Sequence, residues 1–388
     1  LLAFMIAARD AATQQAATIF PAGAPAAREC LVRCGDRAVN TAFANYRIWM
    51  RAADVAEWST RQCMDNTRLP CTFVYQDSRA TYLASARYGG SPLHRPNWST
   101  PLSGACVYVI RLDNDDPMLG RDGIHLDYLA FENNPSTFMR ERMCHWLAEQ
   151  IDAPYLHMRV VHVVINGNRP QTIHYDVQSP DSKGYIASWF PGEDHGALHQ
   201  IHYWHEYNDG TQVTHVSTVD ATLGNFTTTG GVKKKARYRW NWEHKQTGTP
   251  NDDYQPLFDL VDAVNITSND TYLSRLHELV DVDQWLRVFS IRQILVDPFG
   301  YGYNRGENAY AYKPGRDRWK MLLWDLDLAM QANYSTTNAP LFTAGDPVVV
   351  RLYTNPPTKR IYLDVLREAA EGPMTAAAVA PYHDAWVA

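Results

Sequence analysis

Near residue 251 the chain changes texture, and that change constrains its fold more than any other feature. From Thr72 the sequence runs in short β-rich segments, Thr72–Tyr75, Ala80–Ala86 and Cys106–Leu112. Val160–Ile165 is β-branched and ends in Asn166-Gly167, a hairpin signal, with Thr172–Val177 returning. Beyond Asn251 the apolar period becomes helical: Leu257, Leu260, Val261 and Val264 recur at helix spacing. A second helix is predicted from about Val282 to Val296. It is apolar on most sides (Trp285, Val288, Phe289, Ile291, Ile294, Leu295) and so requires deep burial. One helical stripe interrupts the β-rich part. Met139, Met143, Trp146, Leu147 and Ile151 follow the helix-start signal Asn134-Pro135, with Arg140, Glu141 and Arg142 off the stripe. The expected division is a Cys-containing extension over 1–71, a β-rich lobe over 72–250 and a mainly helical lobe over 251–388.

With 388 residues, 45% apolar and 20% charged, the chain can bury a substantial core. Its formal charge of −6 gives no general attraction for nucleic acid. No apolar run approaches the roughly 20 residues that span a bilayer. Leu1–Ala8 is apolar but short, either the end of a signal sequence or a fragment edge. All six cysteines (Cys30, Cys34, Cys63, Cys71, Cys106, Cys144) fall in the first 144 residues, and none forms a C-x-x-C pair. The close pairs 30/34 and 63/71 suit disulfides in an exported protein, located outside the cell, at its surface or in the periplasm; six idle thiols are the alternative.

The sharpest chemical pattern is Trp324-Asp325-Leu326-Asp327-Leu328. As a strand it turns Asp325 and Asp327 to one face, roughly 6.5 Å apart. At an effective dielectric of about 20 such carboxylates repel by ~2.5 kcal/mol. Exposure, protonation or a hard divalent cation relieves that repulsion. Asp297 ends the apolar helix just before Pro298, where helical geometry is disfavoured, and opens a Gly-rich loop running to Asn308. Ala309–Tyr312 then reads as a strand, so Asp297, Asn308, Asp325 and Asp327 belong to one hairpin-like unit. Two further clusters carry other readings. His195, His199, His202 and Glu206 would share a helix face as a metal site, although Gly196 and the aromatic content favour strand and loop. Lys233-Lys234-Lys235 with Arg237, Arg239 and Trp240 could hold RNA or an acidic partner, or form a solvated face.

Four stretches together resemble the spore-coat protein H (CotH) kinase family: Glu132–Glu141, Val160–Gly167, Asp281–Asp297, and Asn308-Ala-Tyr310-Ala-Tyr312 through Trp319 to Trp324-Asp325-Leu326-Asp327. The resemblance spans roughly residues 72–335. It implies a two-lobed, atypical protein-kinase-like α+β fold that moves phosphate from ATP, with Mg²⁺ or Mn²⁺, to Ser/Thr hydroxyls of a protein substrate. In that scheme Asp297 acts on the substrate hydroxyl, Asp325 and Asn308 ligate the metal, Asp327 supports them, and Trp319 packs against the nucleotide or fills the core. The family usually carries a Lys where this chain has Gln200, and an acidic residue where it has Gln178. Arg111 or Arg87 would then supply the phosphate-binding cation. The alternatives are a weak or inactive surface, coat or adhesion protein, and transfer of AMP in place of phosphate.

Overall fold

The computed structural model describes residues 15–19, 30–34, 43–62, 64–75, 80–90, 106–128, 137–167, 173–193, 195–207, 215–245, 252–330 and 340–387. The chain is α+β and divides into two compact units, Leu1–Asn133 with Met158–Ser179, and Asn134–His157 with Pro180–Ala388.

In the first unit β1 (Gln15–Ile19) and β2 (Cys30–Cys34) form an antiparallel pair. After them come β3 (Ala44–Trp49), α1 (Ala52–Thr60), β4 (Leu69–Val74), β5 (Thr81–Tyr88), β6 (Tyr108–Leu112) and β7 (Gly123–Tyr128). The chain leaves for α2 (Thr137–Gln150), then returns in β8 (Met158–Ile165) and β9 (His174–Val177). Strands β3-β4-β5-β6-β7-β9-β8 close into a barrel, and the seam is the parallel pair of β3 with β8. Alternate residues fill the interior, among them Tyr108, Ile110 and Leu112 of β6 and Val161, Val163 and Ile165 of β8. The β-rich part of the chain is thus a closed barrel. Closure depends on β3, which lies ahead of Thr72 and gives β8 a partner along Ala44–Ile48.

Asn166 has a different role from the one its Asn-Gly dipeptide suggests. Its backbone is left-handed (φ 47°), but its side chain accepts from Met50 N at 2.8 Å and donates to Met50 O at 3.0 Å. It therefore pins β8 to the end of β3. Among the described residues the β8–β9 register runs from Met158↔Val177 to Val161↔His174, which does not place Asn166-Gly167 as the two central residues of a tight turn.

The second unit takes α2 and continues through α3 (Lys183–Trp189), β10 (Ala197–Ile201), β11 (Trp204–Tyr207), β12 (His215–Val219), α4 (Lys235–Asn241) and β13 (Trp242–Lys245). The helical run follows: α5 (Gln255–Val264), α6 (Asn269–Leu279) and α7 (Val282–Ile294). Then come β14 (Ala309–Lys313), β15 (Lys320–Leu323), α8 (Pro347–Thr354), α9 (Pro356–Glu371) and α10 (Ala376–Val387). A four-stranded antiparallel sheet, order β13-β10-β14-β15, packs its β15 side against α7, which also contacts α9 and α2. Helix α7 is buried almost all round, as its composition requires; Asp281 caps it by accepting from Gln284 N at 3.4 Å. The stripe of α2 is buried as expected at Met143, Trp146 and Leu147.

Two sequence expectations are corrected here. Cys30 and Cys34 are the two ends of one strand, about 13 Å apart at 3.3 Å per residue, beyond the ~7 Å a disulfide can bridge. Cys71, Cys106 and Cys144 are buried free thiols, which removes the 63/71 pair; Cys63 lies outside the described residues. The second correction concerns Trp324–Leu328. Strand β15 stops at Leu323, and residues 327–330 form a turn, so Asp325 and Asp327 do not share a strand face.

Candidate functional site

The site begins where α7 ends. A helix this apolar has little reason to carry a charge, yet it holds Arg292, with no exposed surface. The guanidinium donates through Nη1 to Asp297 Oδ2 and through Nη2 to the carbonyl of Asn308. One side chain therefore ties the loop after α7 to the residue just before β14. Asp297 is 1% exposed, and its other oxygen accepts from Phe299 N at 3.3 Å. Burial pushes its pKa above the ordinary carboxylate value, while Arg292 and the Phe299 amide pull it back.

The β14–β15 ladder supplies the other side. Its pair Ala309↔Leu323 sets residue 308 next to the exit from β15, and Asn308 Nδ2 donates to Asp325 O at 3.2 Å. Asn308 (φ 57°) and Asp325 (φ 54°) are both left-handed, and so is Val296 (φ 49°), immediately before Asp297. For β-branched Val296 that conformation is a real outlier, and such strain concentrates at functional sites. It also explains the lost alternation: a left-handed Asp325 turns the chain out of the ladder.

Two buried carboxyls that no sequence motif marked as functional complete the site. Glu141 of α2 accepts from Leu326 N at 3.3 Å, one residue beyond Asp325. Burial first, then Asp325 and, less strongly, Asp297, raise its pKa to about 8. Glu307 precedes Asn308; burial, Asp325 and Asp297 raise it to about 9, and its Oε1 has no hydrogen-bond donor. Beside Glu141, His145 has its Nε2 at 3.9 Å and its Nδ1 accepting from Leu156 N at 3.3 Å. Burial, seconded by Arg292, lowers its pKa to about 3, so it is neutral. The charges of Asp325 and Asp297 thus act on both Glu141 and Glu307, and Arg292 opposes them at Asp297.

The remaining candidates lie elsewhere or have other roles. Asp327 opens the 327–330 turn and is half-buried. Trp319 is fully buried in the second unit's core, its ring 5.6 Å from His199. Arg111, on β6, pairs with Asp122 at 3.0 Å; Arg87, on β5, donates to Asn66 Oδ1 at 3.1 Å and Tyr88 O at 2.7 Å. Both belong to the barrel unit. Gln200 sits in β10 between β13 and β14. The histidines lie on strand and loop: His199 is buried in β10, its Nδ1 3.2 Å from Trp242 O, and burial lowers its pKa to about 3. The side chains of His205 and Glu206 lie outside the described residues. Among the described residues no three His, Cys, Asp or Glu side chains form a ready-made metal centre. Three cations of the basic run are paired with aspartates, Lys233 with Asp262 and both Lys235 and Arg239 with Asp252.

A family model described as "CotH kinase protein" matches residues 108–388, well over half of the chain. No curated protein matches it.

Proposed function

The chain belongs to the CotH kinase family, and from that premise we propose that it transfers phosphate from ATP, with Mg²⁺ or Mn²⁺, to Ser/Thr hydroxyls of an exported or surface protein. The two-lobed, kinase-like organisation implied by the family is part of the same proposal, with the barrel as its β-rich lobe. The observation that carries it is the meeting of Asp297, Asn308 and Asp325 on strained backbone beside two buried, partnerless-to-cation carboxyls, Glu141 and Glu307.

The donor set suits a hard divalent cation. Mg²⁺ is usually held by one or two carboxylates plus substrate phosphates, not by a closed protein cage. A site without three clustered protein ligands among the described residues therefore fits a metal that arrives with its nucleotide. Asp325 and Asn308 would hold it, with Asp327 in support, and its charge would offset that of the phosphates. The orphaned Glu307 Oε1 and the raised pKa values of Glu141 and Glu307 mark a place where a carboxylate charge is disfavoured, and a bound cation would favour it. Asp297 would orient the substrate hydroxyl and take its proton; burial favours that proton, and Arg292 fixes the carboxylate that receives it. Gln200, in place of the family's lysine, favours one other reading, a weak or inactive member.

Thermal melting separates the two. ATP and Mg²⁺ together, but neither alone, should raise the melting temperature; at 100 times Kd the gain is about 2.7 kcal/mol. No shift at millimolar nucleotide would leave the non-catalytic reading.

A further inference from the structure

The last turn of helix α4 carries a tryptophan that neither the core nor the candidate site uses. Trp240 is 54% exposed, and the ring of Trp204 stacks on it at 5.5 Å and 16°. That stacking covers one face and fixes the orientation of the other. The ring lines a cleft of ≈ 560 Å³, within the size range of small-ligand sites. Around it stand Tyr254, Arg239, Glu243, Asp252 and His202. The cleft lies at β13, one edge of the four-stranded sheet, whereas Asp325 leaves the other edge at β15. Three strand spacings, about 14 Å, separate those edges.

The charges of the cleft are already matched. Asp252 is held by Arg239 at 2.8 Å and Lys235 at 2.7 Å. Glu243 is held by Lys245 at 2.7 Å, with His202 at 3.4 Å. Burial pulls the Glu243 pKa upward, but His202 and Lys245 overcome it and bring the group down to about 2, so it stays ionised. An anion entering here meets two carboxylates, and a cation meets the resident Arg and Lys groups. A wholly apolar ligand would strip water from those paired ions with nothing in return. What fits is a neutral molecule with one flat apolar face for Trp240 and hydroxyls around its rim. A flat heterocycle would compete for the same free face of Trp240, which Trp204 leaves open.

We propose that the cleft at β13 binds a neutral oligosaccharide, with Trp240 as the stacking platform and Arg239, Glu243 and Asp252 hydrogen-bonding its hydroxyls. The basic-aromatic run ending at Trp240 is therefore a carbohydrate surface, its cations spent on orienting carboxylates. The site is independent of phosphate transfer at Asp325.

Saturation-transfer NMR and titration of the intact chain with maltohexaose, cellohexaose and chitohexaose test this, with adenosine as the competing flat ligand. At least one hexaose should bind saturably, and Trp240→Ala should weaken it about tenfold or more, equivalent to ~1.4 kcal/mol. The melting temperature should hardly change, since Trp240 is exposed. Trp240→Tyr, which keeps a ring, should bind within a few-fold of the parent, and Glu243→Gln should bind more weakly. Failure of all three sugars to bind, binding indifferent to Trp240→Ala, or Trp240-dependent binding of adenosine with no sugar signal would each overturn the assignment.

Discussion

Replacing Arg292 by Met keeps the length and apolar stem of the side chain and deletes the fully buried cation that pairs with Asp297. Asp297 then has no counter-ion at 1% exposure, and the carbonyl of Asn308 loses a charged donor. Breaking a buried ion pair from one side costs about 3–5 kcal/mol, most of it the penalty of the abandoned charge. A domain of this size loses about 2–4 °C per kcal/mol, so the melting temperature should fall by roughly 6–20 °C. The loss has a pH signature. Without Arg292 the Asp297 pKa rises further, so its proton is held in the folded state after the unfolded chain has released it. The penalty is then small near pH 5 and grows as pH rises through the folded pKa. Circular-dichroism melts at pH 5, 7 and 8.5 measure it. Arg292→Met with Asp297→Asn removes both charges and should recover most of the loss, because the amide still accepts from Phe299 N. If the double variant is as unstable as the single one, or the loss is flat with pH, charge pairing is not what holds this corner together.

Three further outcomes follow from the same geometry. Asp325→Ala should abolish the joint stabilisation by ATP and Mg²⁺, whereas His199→Ala should lower the melting temperature through its core cavity yet keep that gain; the reverse pattern in thermal shift would point to the histidines. Because Glu141 and Glu307 titrate at about 8 and 9, well above the ordinary ~4.3 of the unfolded chain, the folded state retains protons between those limits. Stability in urea titrations should therefore fall as pH rises from about 5 to 9, and Mg²⁺ or Mn²⁺ should flatten the slope; a rise with pH would contradict it. Burial pushes the Cys71 and Cys106 thiols up to about 12, so these and the buried Cys144 should resist a thiolate-directed reagent until the chain is unfolded in denaturant.

How far the sequence could be read differs between fold and site for a physical reason. Helices α5 and α7 were legible because burial repeats along one element, and the apolar stripe of Leu257, Leu260, Val261 and Val264 reports it locally. Asp297 and Asn308 were legible as a linear order of residue types. The strand assigned to Trp324–Leu328 was misread because alternation describes side chains and is blind to the sign of φ, which Asp325 reverses. Glu141 closes the first family-like stretch and sits off the apolar stripe, but nothing in the sequence assigned it or Glu307 a role, since their meaning comes from partners up to 185 residues away, as in the Glu141–Leu326 contact. Arg292 did leave a trace: a lone guanidinium on a helix face too apolar to solvate it, five residues before an aspartate.

The barrel's closure was hidden for a related reason, since the parallel β3–β8 pair joins segments more than a hundred residues apart. That distance also bears on the missing lysine. Gln200 lies in β10, a central strand of the second unit, with β13 on one side and β14 on the other. Its neighbour His199 is neutral and faces Trp242, Tyr254 and Trp319, so the core around this strand holds aromatic rings. Lys320, the nearby buried ammonium on β15, is committed to Asp281 at 2.7 Å and Asp317 at 2.9 Å. In the candidate site Arg292 is already engaged by Asp297 and the Asn308 carbonyl. If the proposed nucleotide binds at Asp325, its affinity should depend more steeply on divalent cation than it would with a lysine at position 200. Gln200→Lys is the direct comparison: if it strengthens ATP binding in the absence of Mg²⁺, position 200 faces the phosphates, and if it merely destabilises the sheet, the lysine's role has been given up in this chain.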